Sequence, residues 1–315
     1  MTDYEPIEIR GIFRAHSHLP IWEVLDKAGI WEEVGIKMRG MEYCASPPEA
    51  EGALFGGKID FISGNHITPY ALVGHGKPIV CIASPSNQVR DRLVSREPIR
   101  ALAELRGKKI VDLALEGRAA GFNHLRGNHM LYILRAGLKL NDVQWVEIGD
   151  DMSPGFRKKQ FETLTSGKAD AALITGGTAQ YEEAGLHVLQ LDPLPMINGP
   201  TMTTAITALK RKDRLGERMV KALVMGIHFA RAHKEETERI LEGLRKREPE
   251  TGSVRYESLL RMPIKPYPAL DAVANAYELC LMKIPEAKNF SPLALWDIHY
   301  LRELDDSGFI DGLYK

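Results

Sequence analysis

The spacing of apolar and polar positions divides the first third of the chain into short strands alternating with helices. Residues 7–13 read as a strand, and residues 19–28 as a helix stopped at Gly29, a typical C-terminal glycine. Residues 36–43 read as a second strand. Residues 47–55 read as a helix with Ser46 as N-cap and Pro47 at its first position. A strand over 59–63, a helix over 68–73 and a strand over 79–83 follow. This β-α-β-α order predicts parallel strands joined by right-handed crossovers, and so an α/β fold.

The pattern then restarts. Strands are predicted over 109–115, 143–148, 170–174 and 188–191. Helices are predicted over 123–136, ending at Gly137, over 153–166, with Ser153 as N-cap and Pro154 next, and over 178–184, ending at Gly185. Gly57-Lys58-Ile59-Asp60-Phe61-Ile62 is echoed by Gly167-Lys168-Ala169-Asp170-Ala171-Ala172. Each copy follows a helix, opens a buried strand and breaks into a small polar loop: Ser63-Gly64-Asn65-His66 in one half, Thr175-Gly176-Gly177-Thr178 in the other. Two lobes built alike predict a ligand cleft lined from both sides, at the carboxyl ends of the strands. Residues 91–97 and 200–208 read as the two extended hinge segments. The expected division is lobe 1 from residues 1–95 and 205–315, and lobe 2 from 96–204. Beyond Lys210 the chain becomes largely helical. The mixed charges of 231–250 read as a solvated helix face, and a last helix is expected near 292–304.

Composition narrows the function classes. The 315 residues suit two α/β lobes, and apolar and charged fractions of 44% and 26% are those of a globular protein. The 41 basic and 42 acidic residues leave a net charge of −1, which argues against a nucleic-acid partner and gives no reason for attraction to an anionic membrane. Cys44, Cys81 and Cys280 are odd in number and far apart, so they read as buried thiols. The start, Met1-Thr2-Asp3-Tyr4-Glu5-Pro6, has no export-signal pattern. A cytoplasmic location is expected if Met1 is the native start, and a periplasmic one if a signal has been trimmed. No apolar run approaches the roughly 20 residues of a membrane span.

Four stretches resemble the type II solute-binding-protein superfamily, in the branch of nitrate, sulfonate and taurine binding proteins and thiamine-pyrimidine-precursor binders. They are Leu19-Pro20-Ile21-Trp22 with Ala28-Gly29-Ile30-Trp31-Glu32-Glu33-Val34-Gly35-Ile36; Gly56-Gly57-Lys58-Ile59-Asp60-Phe61; Leu102-Ala103-Glu104-Leu105-Arg106-Gly107-Lys108-Lys109-Ile110; and Gly167-Lys168-Ala169-Asp170-Ala171. The resemblance spans roughly residues 7–235 and implies a two-lobed periplasmic-binding-protein-like fold with two hinges and a central cleft. It says little about the ligand, because one fold hosts many functions. Some cytoplasmic relatives are enzymes: a pyrimidine synthase, an aryl-sulfinate desulfinase, a dihydroxyphthalate decarboxylase and menaquinone-pathway enzymes. The synthase's cysteine-rich motif is absent here. Where the desulfinase carries a Cys after its first strand, this chain reads Arg14-Ala15-His16-Ser17-His18, so neither activity carries over.

The candidate chemistry sits in loops after strands. His16, Ser17 and His18 follow the first strand; the imidazoles either meet a ligand as donors or acid–base groups, or cap the next helix or lie at the surface. Gly64 permits close backbone approach. Asn65 and His66 add a donor and a titratable ring, and Thr68 is a candidate cap for the next helix. His16, His18 and His66 are the right number for a zinc site, but no spaced ligand motif accompanies them, and no metal or other cofactor is assigned. In the second lobe, Arg118 offers a fork for a carboxylate, sulfonate or phosphate. Glu116 is a candidate base or the partner of Arg118. Thr175, Gly176 and Gly177 suit a close-fitting ligand or a simple tight turn, and Asn198 adds a polar contact near the returning hinge. His129 reads as structural, and Trp22, Trp31, Trp145 and Trp296 as packing residues.

The expected function is binding of an anionic or polar-aromatic carboxylate or sulfonate, with closure by hinge bending. The alternative is a cofactor-free lyase, decarboxylase or hydrolase using the histidines as acid and base. A transporter partner is expected only if the native gene encodes an export signal.

Overall fold

The computed structural model describes residues 5–117, 121–122, 124–149, 154–251 and 255–315. The chain forms two compact α/β units: Met1–Asn87 with Met196–Lys315, and Gln88–Pro195. In chain order the principal strands are β1 (Ile7–Phe13), β2 (Ile36–Tyr43), β3 (Phe61–Ser63), β4 (Ile79–Ala83), β5 (Asp91–Ser95), β6 (Lys109–Asp112), β7 (Gln144–Glu147), β8 (Ala171–Thr175), β9 (His187–Gln190) and β10 (Met202–Ala205).

The first unit holds the sheet β2-β1-β3-β10-β4 and the second the sheet β7-β6-β8-β5-β9. In the first, β1 lies parallel to β2 and β3, and β10 runs antiparallel to β3 and β4. In the second, β6 lies parallel to β7 and β8, and β5 runs antiparallel to β8 and β9. The two sheets thus share one plan: a parallel core with one inserted antiparallel strand. That strand corrects the hinge expectation. Residues 91–95 are β5, inside the second unit's sheet, and 202–205 are β10, inside the first unit's sheet, so the units divide earlier than at 95/96 and 204/205. Leu93 and Val94 are fully buried and all four residues of β10 are buried, the environment of a central strand and not of a solvated hinge.

The sequence echo has a physical cause. Asp60 precedes β3, and its Oδ2 accepts the backbone N–H of Arg10 on β1 at 2.9 Å. Asp170 precedes β8, and its Oδ2 accepts the N–H of Lys109 on β6 at 2.7 Å. The same two aspartates donate their own N–H groups to the carbonyls of Arg10 and Lys109 at 2.9 and 2.8 Å. Each aspartate therefore clamps one residue of the neighbouring parallel strand from both sides and fixes the register. Gly57 and Gly167, at φ +67° and +78°, make the left-handed turn that releases the chain from the preceding helix.

The local signals explain the helices. Ser46 Oγ accepts the Glu49 N–H at 3.3 Å and starts Pro47–Phe55. Gly29, at φ 70°, follows Leu19–Lys27. Leu215–Ala232 buries Leu215, Met219, Leu223 and Ala230, a stripe at helical spacing, and packs on Leu19–Lys27 together with Lys234–Arg247. The expected terminal helix over 292–304 divides into a 3-10 turn, Pro292–Leu295, and the helix His299–Asp306. Cys44, Cys81 and Cys280 are buried free thiols, as expected, and burial pushes the Cys81 thiol up to about 12. Among the described residues no helix is long and apolar enough to cross a membrane.

The clamp predicts a stability cost. Asp60→Ala removes a buried acceptor and also a 2.7 Å ion pair with Lys212, and should lower unfolding free energy by about 1–3 kcal/mol. A urea midpoint equal to that of the unaltered protein would count against the clamp.

Candidate functional site

The first unit gathers its polar residues where β1 and β3 end. Arg14 continues the strand pairing, its N–H donating to the Ser63 carbonyl at 3.1 Å. His16–His18 then forms a single 3-10 turn. This turn lays the His18 ring against the β3 end, with Nδ1 3.0 Å from the Ser63 carbonyl. Trp22 Nε1 donates to Ser63 Oγ at 2.6 Å and ties the first helix to the same point. Gly64 lies at φ +100°. A Cβ there would stand 2.7 Å from His18 Cε1 and 3.2 Å from Arg14 Cβ, so no other residue fits.

The loop after Gly64 is held from beneath. Gly64 N–H donates to the Thr201 carbonyl at 2.7 Å, and Thr203 Oγ1 donates to the Gly64 carbonyl at 2.7 Å. Asn65 takes φ 61°, a left-handed conformation that asparagine tolerates. Its Nδ2 donates to Glu51 Oε1 at 2.9 Å, and Thr68 Oγ1 donates to the same oxygen at 2.7 Å. Thr68 therefore does not cap the six-residue helix Pro69–Gly74, as the sequence led us to expect; its hydroxyl is drawn to the buried Glu51 carboxylate. His66 is buried, Ser17 is exposed and Asn198 is half-buried, with its N–H bonded to the Ser86 carbonyl at 3.1 Å.

The residue that sequence reasoning missed is Arg14. Its Nε and Nη1 are closed to solvent and meet no hydrogen-bond acceptor among the described residues. Burial lowers its pKa from the ordinary value, while Cys44, Glu51 and Tyr43 pull the other way; a guanidinium still remains charged. The available signal was a cation placed directly after the apolar strand end Gly11-Ile12-Phe13.

The three imidazoles do not act as one group. His16 stacks on Tyr43 with ring centroids 4.4 Å apart and meets the Phe13 ring edge-on at 5.7 Å. His18 is turned to Ser63, and among the described residues His16, His18 and His66 do not assemble as metal ligands. Burial lowers the His18 pKa to about 4, with Arg14 adding to the shift and the Ser63 carbonyl opposing it.

In the second unit the corresponding strand ends carry a buried charged network. Thr175 Oγ1 donates to Asp91 Oδ1 at 2.5 Å. His129 Nδ1 lies 2.7 Å from Asp112 Oδ2, and its Nε2 lies 3.7 Å from Asp91 Oδ2. Arg126 Nη1 stands 3.5 Å from Asp112, and its guanidinium carbon lies 3.3 Å from the centre of the Trp145 ring. Burial alone lowers the His129 pKa, but Asp112 and then Asp91 outweigh it, and the net shift is upward. Gly176, at φ +102°, matches Gly64. The Thr175 carbonyl accepts from Arg157 at 3.0 Å and the Gly176 carbonyl from Arg92 at 2.6 Å, while Gly177 is exposed. Arg118 and the Glu116 side chain lie outside the described residues.

No family model matches the chain. A Brucella abortus protein described as a binding protein is 27% identical over 165 residues, which is 51% of this chain and 48% of that protein. The match thus spans about half the length of the curated relative. Among solved structures, the periplasmic sulfonate-binding protein SsuA of Methylobacillus flagellatus KT superposes with a TM-score of 0.68 at 15% identity, covering 98% of this chain and 96% of that one. The periplasmic aliphatic sulphonate binding protein SsuA of Escherichia coli gives 0.62 at 17% identity, covering 90% and 88%. A variant of DszB in complex with biphenyl-2-sulfinic acid gives 0.61 at 16% identity, covering 95% and 99%. The chain has the α/β fold of these solute-binding proteins, as the sequence resemblance led us to expect.

Two of the buried histidines, His18 and His129, should titrate in opposite directions. His18 stays neutral as the unfolded chain takes up protons, so its stability contribution is complete above the ordinary imidazole value of 6.5 and is lost as pH falls toward about 4. The contribution of His129 is complete below 6.5 and is lost as pH rises through its raised value. Histidine NMR titration should show one ring unprotonated at pH 5 and another still protonated above the ordinary range. His18 and His129, assigned through His→Gln variants, titrating together near the ordinary value would contradict both environments.

Proposed function

We propose that this protein binds a small organic anion, a carboxylate or sulfonate, at the carboxyl edge of the first unit's sheet, with Arg14 holding its charge. The observation that carries the reading is the half-buried Arg14, whose Nε and Nη1 are closed to solvent and have no acceptor among the described residues. Guanidinium N–H groups closed to water without an acceptor cost free energy, and a ligand oxyanion offsets that cost. The planar fork of arginine suits the paired oxygens of a carboxylate or sulfonate. Asn65 and Thr68 are committed to Glu51, so they position that carboxylate and the loop. Ser17, Gly64 and Asn198 are the remaining first-unit contacts in this reading. The binding-protein relative and the sulfonate-binding neighbours support the same class of function. If the native gene encodes an export signal, delivery to a transporter is the expected use.

A second reading, a cofactor-free lyase or hydrolase at the same place, draws support from the fold shared with DszB, a desulfurization enzyme. In it His16 or His66 is the acid–base group, and the depressed His18 pKa keeps that ring neutral.

Isothermal titration with a panel of alkanesulfonates and carboxylates, in EDTA, tests the first reading. Arg14→Met should weaken the tightest ligand by about 2–5 kcal/mol, the loss typical of one partner in a buried charge pair. Undiminished affinity in Arg14→Met overturns the assignment. Conversion of a ligand to product, lost in His16→Ala or His66→Ala, would establish the enzyme reading instead.

A further inference from the structure

We infer that His16, Glu248 and Glu250 form a divalent-cation site in the first unit, with zinc as the fitting ion. One donor atom from each of the three residues lies within 4.8 Å of the others, although most of the chain separates His16 from the two glutamates. The inference goes beyond anion binding and does not rest on it.

The site is built from two elements that pack together. His16 opens the short turn after β1; Glu248 precedes, and Glu250 lies within, the turn Pro249–Thr251 that follows the Lys234–Arg247 helix. That second turn is pinned. Glu248 N–H donates to the Leu244 carbonyl at 2.7 Å, and the Glu248 carbonyl accepts both from the Thr251 N–H at 2.9 Å and from Thr251 Oγ1 at 2.6 Å. Thr251 is buried, so the carboxylates project from an anchored backbone.

The imidazole distinguishes this cluster from an ordinary solvated acidic patch. The His16 ring is fixed between Tyr43, stacked on it at 4.4 Å, and Phe13, edge-on at 5.7 Å. Its Nδ1 is shut from solvent and has no hydrogen-bond partner among the described residues. Neither Glu248 nor Glu250 has a salt-bridge partner within 4.0 Å among the described residues; Arg247 acts on Glu248 from farther away, and the two neighbouring carboxylates repel each other. A dication removes that repulsion and engages the imidazole.

The donor set selects the metal. One nitrogen and two carboxylate oxygens suit a borderline ion such as zinc better than calcium or magnesium, which favour all-oxygen shells. Zinc–ligand bonds near 2.0–2.2 Å place tetrahedral donors about 3.4 Å apart. Closing from 4.8 Å needs only side-chain rotation, and Glu250 is exposed and free to rotate. Three protein ligands leave a fourth position for water or for an oxygen of a bound molecule, the arrangement of an open zinc site.

The test is calorimetric titration of the full, chelator-stripped protein with zinc chloride. One equivalent of zinc should bind, and Glu250→Gln, at an exposed side chain that leaves the fold intact, should weaken it tenfold or more. His16→Gln should do the same with an unchanged circular dichroism spectrum. His299→Ala, which removes the exposed imidazole paired with Asp297, should retain the unaltered affinity. Absence of saturable zinc binding overturns the site, as does an affinity in the Glu250→Gln and Glu248→Gln variants equal to that of the unaltered protein. Anion binding by Arg14 is measured separately in EDTA, so the two assignments stand or fall apart.

Discussion

The hydrogen-bonded clamp between an aspartate and the backbone of the neighbouring parallel strand is the constraint on which both units depend. Asp60 grips Arg10, and Asp170 grips Lys109, each through its carboxylate and its own amide. Parallel strands lack a hairpin to set their register, so a side chain must do it. Once β1 and β3 are locked, the residues that follow them emerge side by side. Arg14 then bonds to Ser63, and His18 folds over the same carbonyl.

The site edge of the first unit is consequently dense and polar at once. Trp22, Ser63, His18, Gly64 and Thr203 form one hydrogen-bonded and packed assembly, in which Gly64 is required by the space the His18 ring takes. Such an assembly holds its shape before a ligand arrives, which lowers the ordering cost of binding. Arg14 stands at its margin with donors unspent, and its charge fits an anionic ligand. Glu51 lies close enough to act on that charge and is itself held by Asn65 and Thr68.

The second unit repeats the plan with different chemistry. The glycine after β8 takes nearly the same φ as the glycine after β3. The buried groups there are Asp91, Asp112, His129 and Arg126, whose opposite charges lie within 4.0 Å of one another. Burial acts on both His18 and His129, yet only His129 has carboxylates close enough to reverse the shift. One physical effect thus has two outcomes, decided by neighbours distant in sequence.

The sequence by itself determined the elements and the doubled α/β plan. Ile7–Phe13, Ile36–Tyr43, Pro47–Phe55 and Ile79–Ala83 fall where apolar spacing, capping and proline placed them, because those signals act over a few residues. The Gly-Lys-x-Asp echo was legible for the same reason. The fold alone decided what those residues touch. Residues 91–95 and 202–205 read as hinges because a short inserted strand has too little period of its own; long-range pairing makes them strands. Thr68 resembled a cap until Glu51 was brought beside it. Arg14 is one cation among 41 basic residues until folding closes two of its nitrogens away from water, and His16 meets Glu248 and Glu250 only across the folded unit. Periodicity is a local property of the chain, whereas burial and charge pairing depend on contacts that exist only once distant segments are packed.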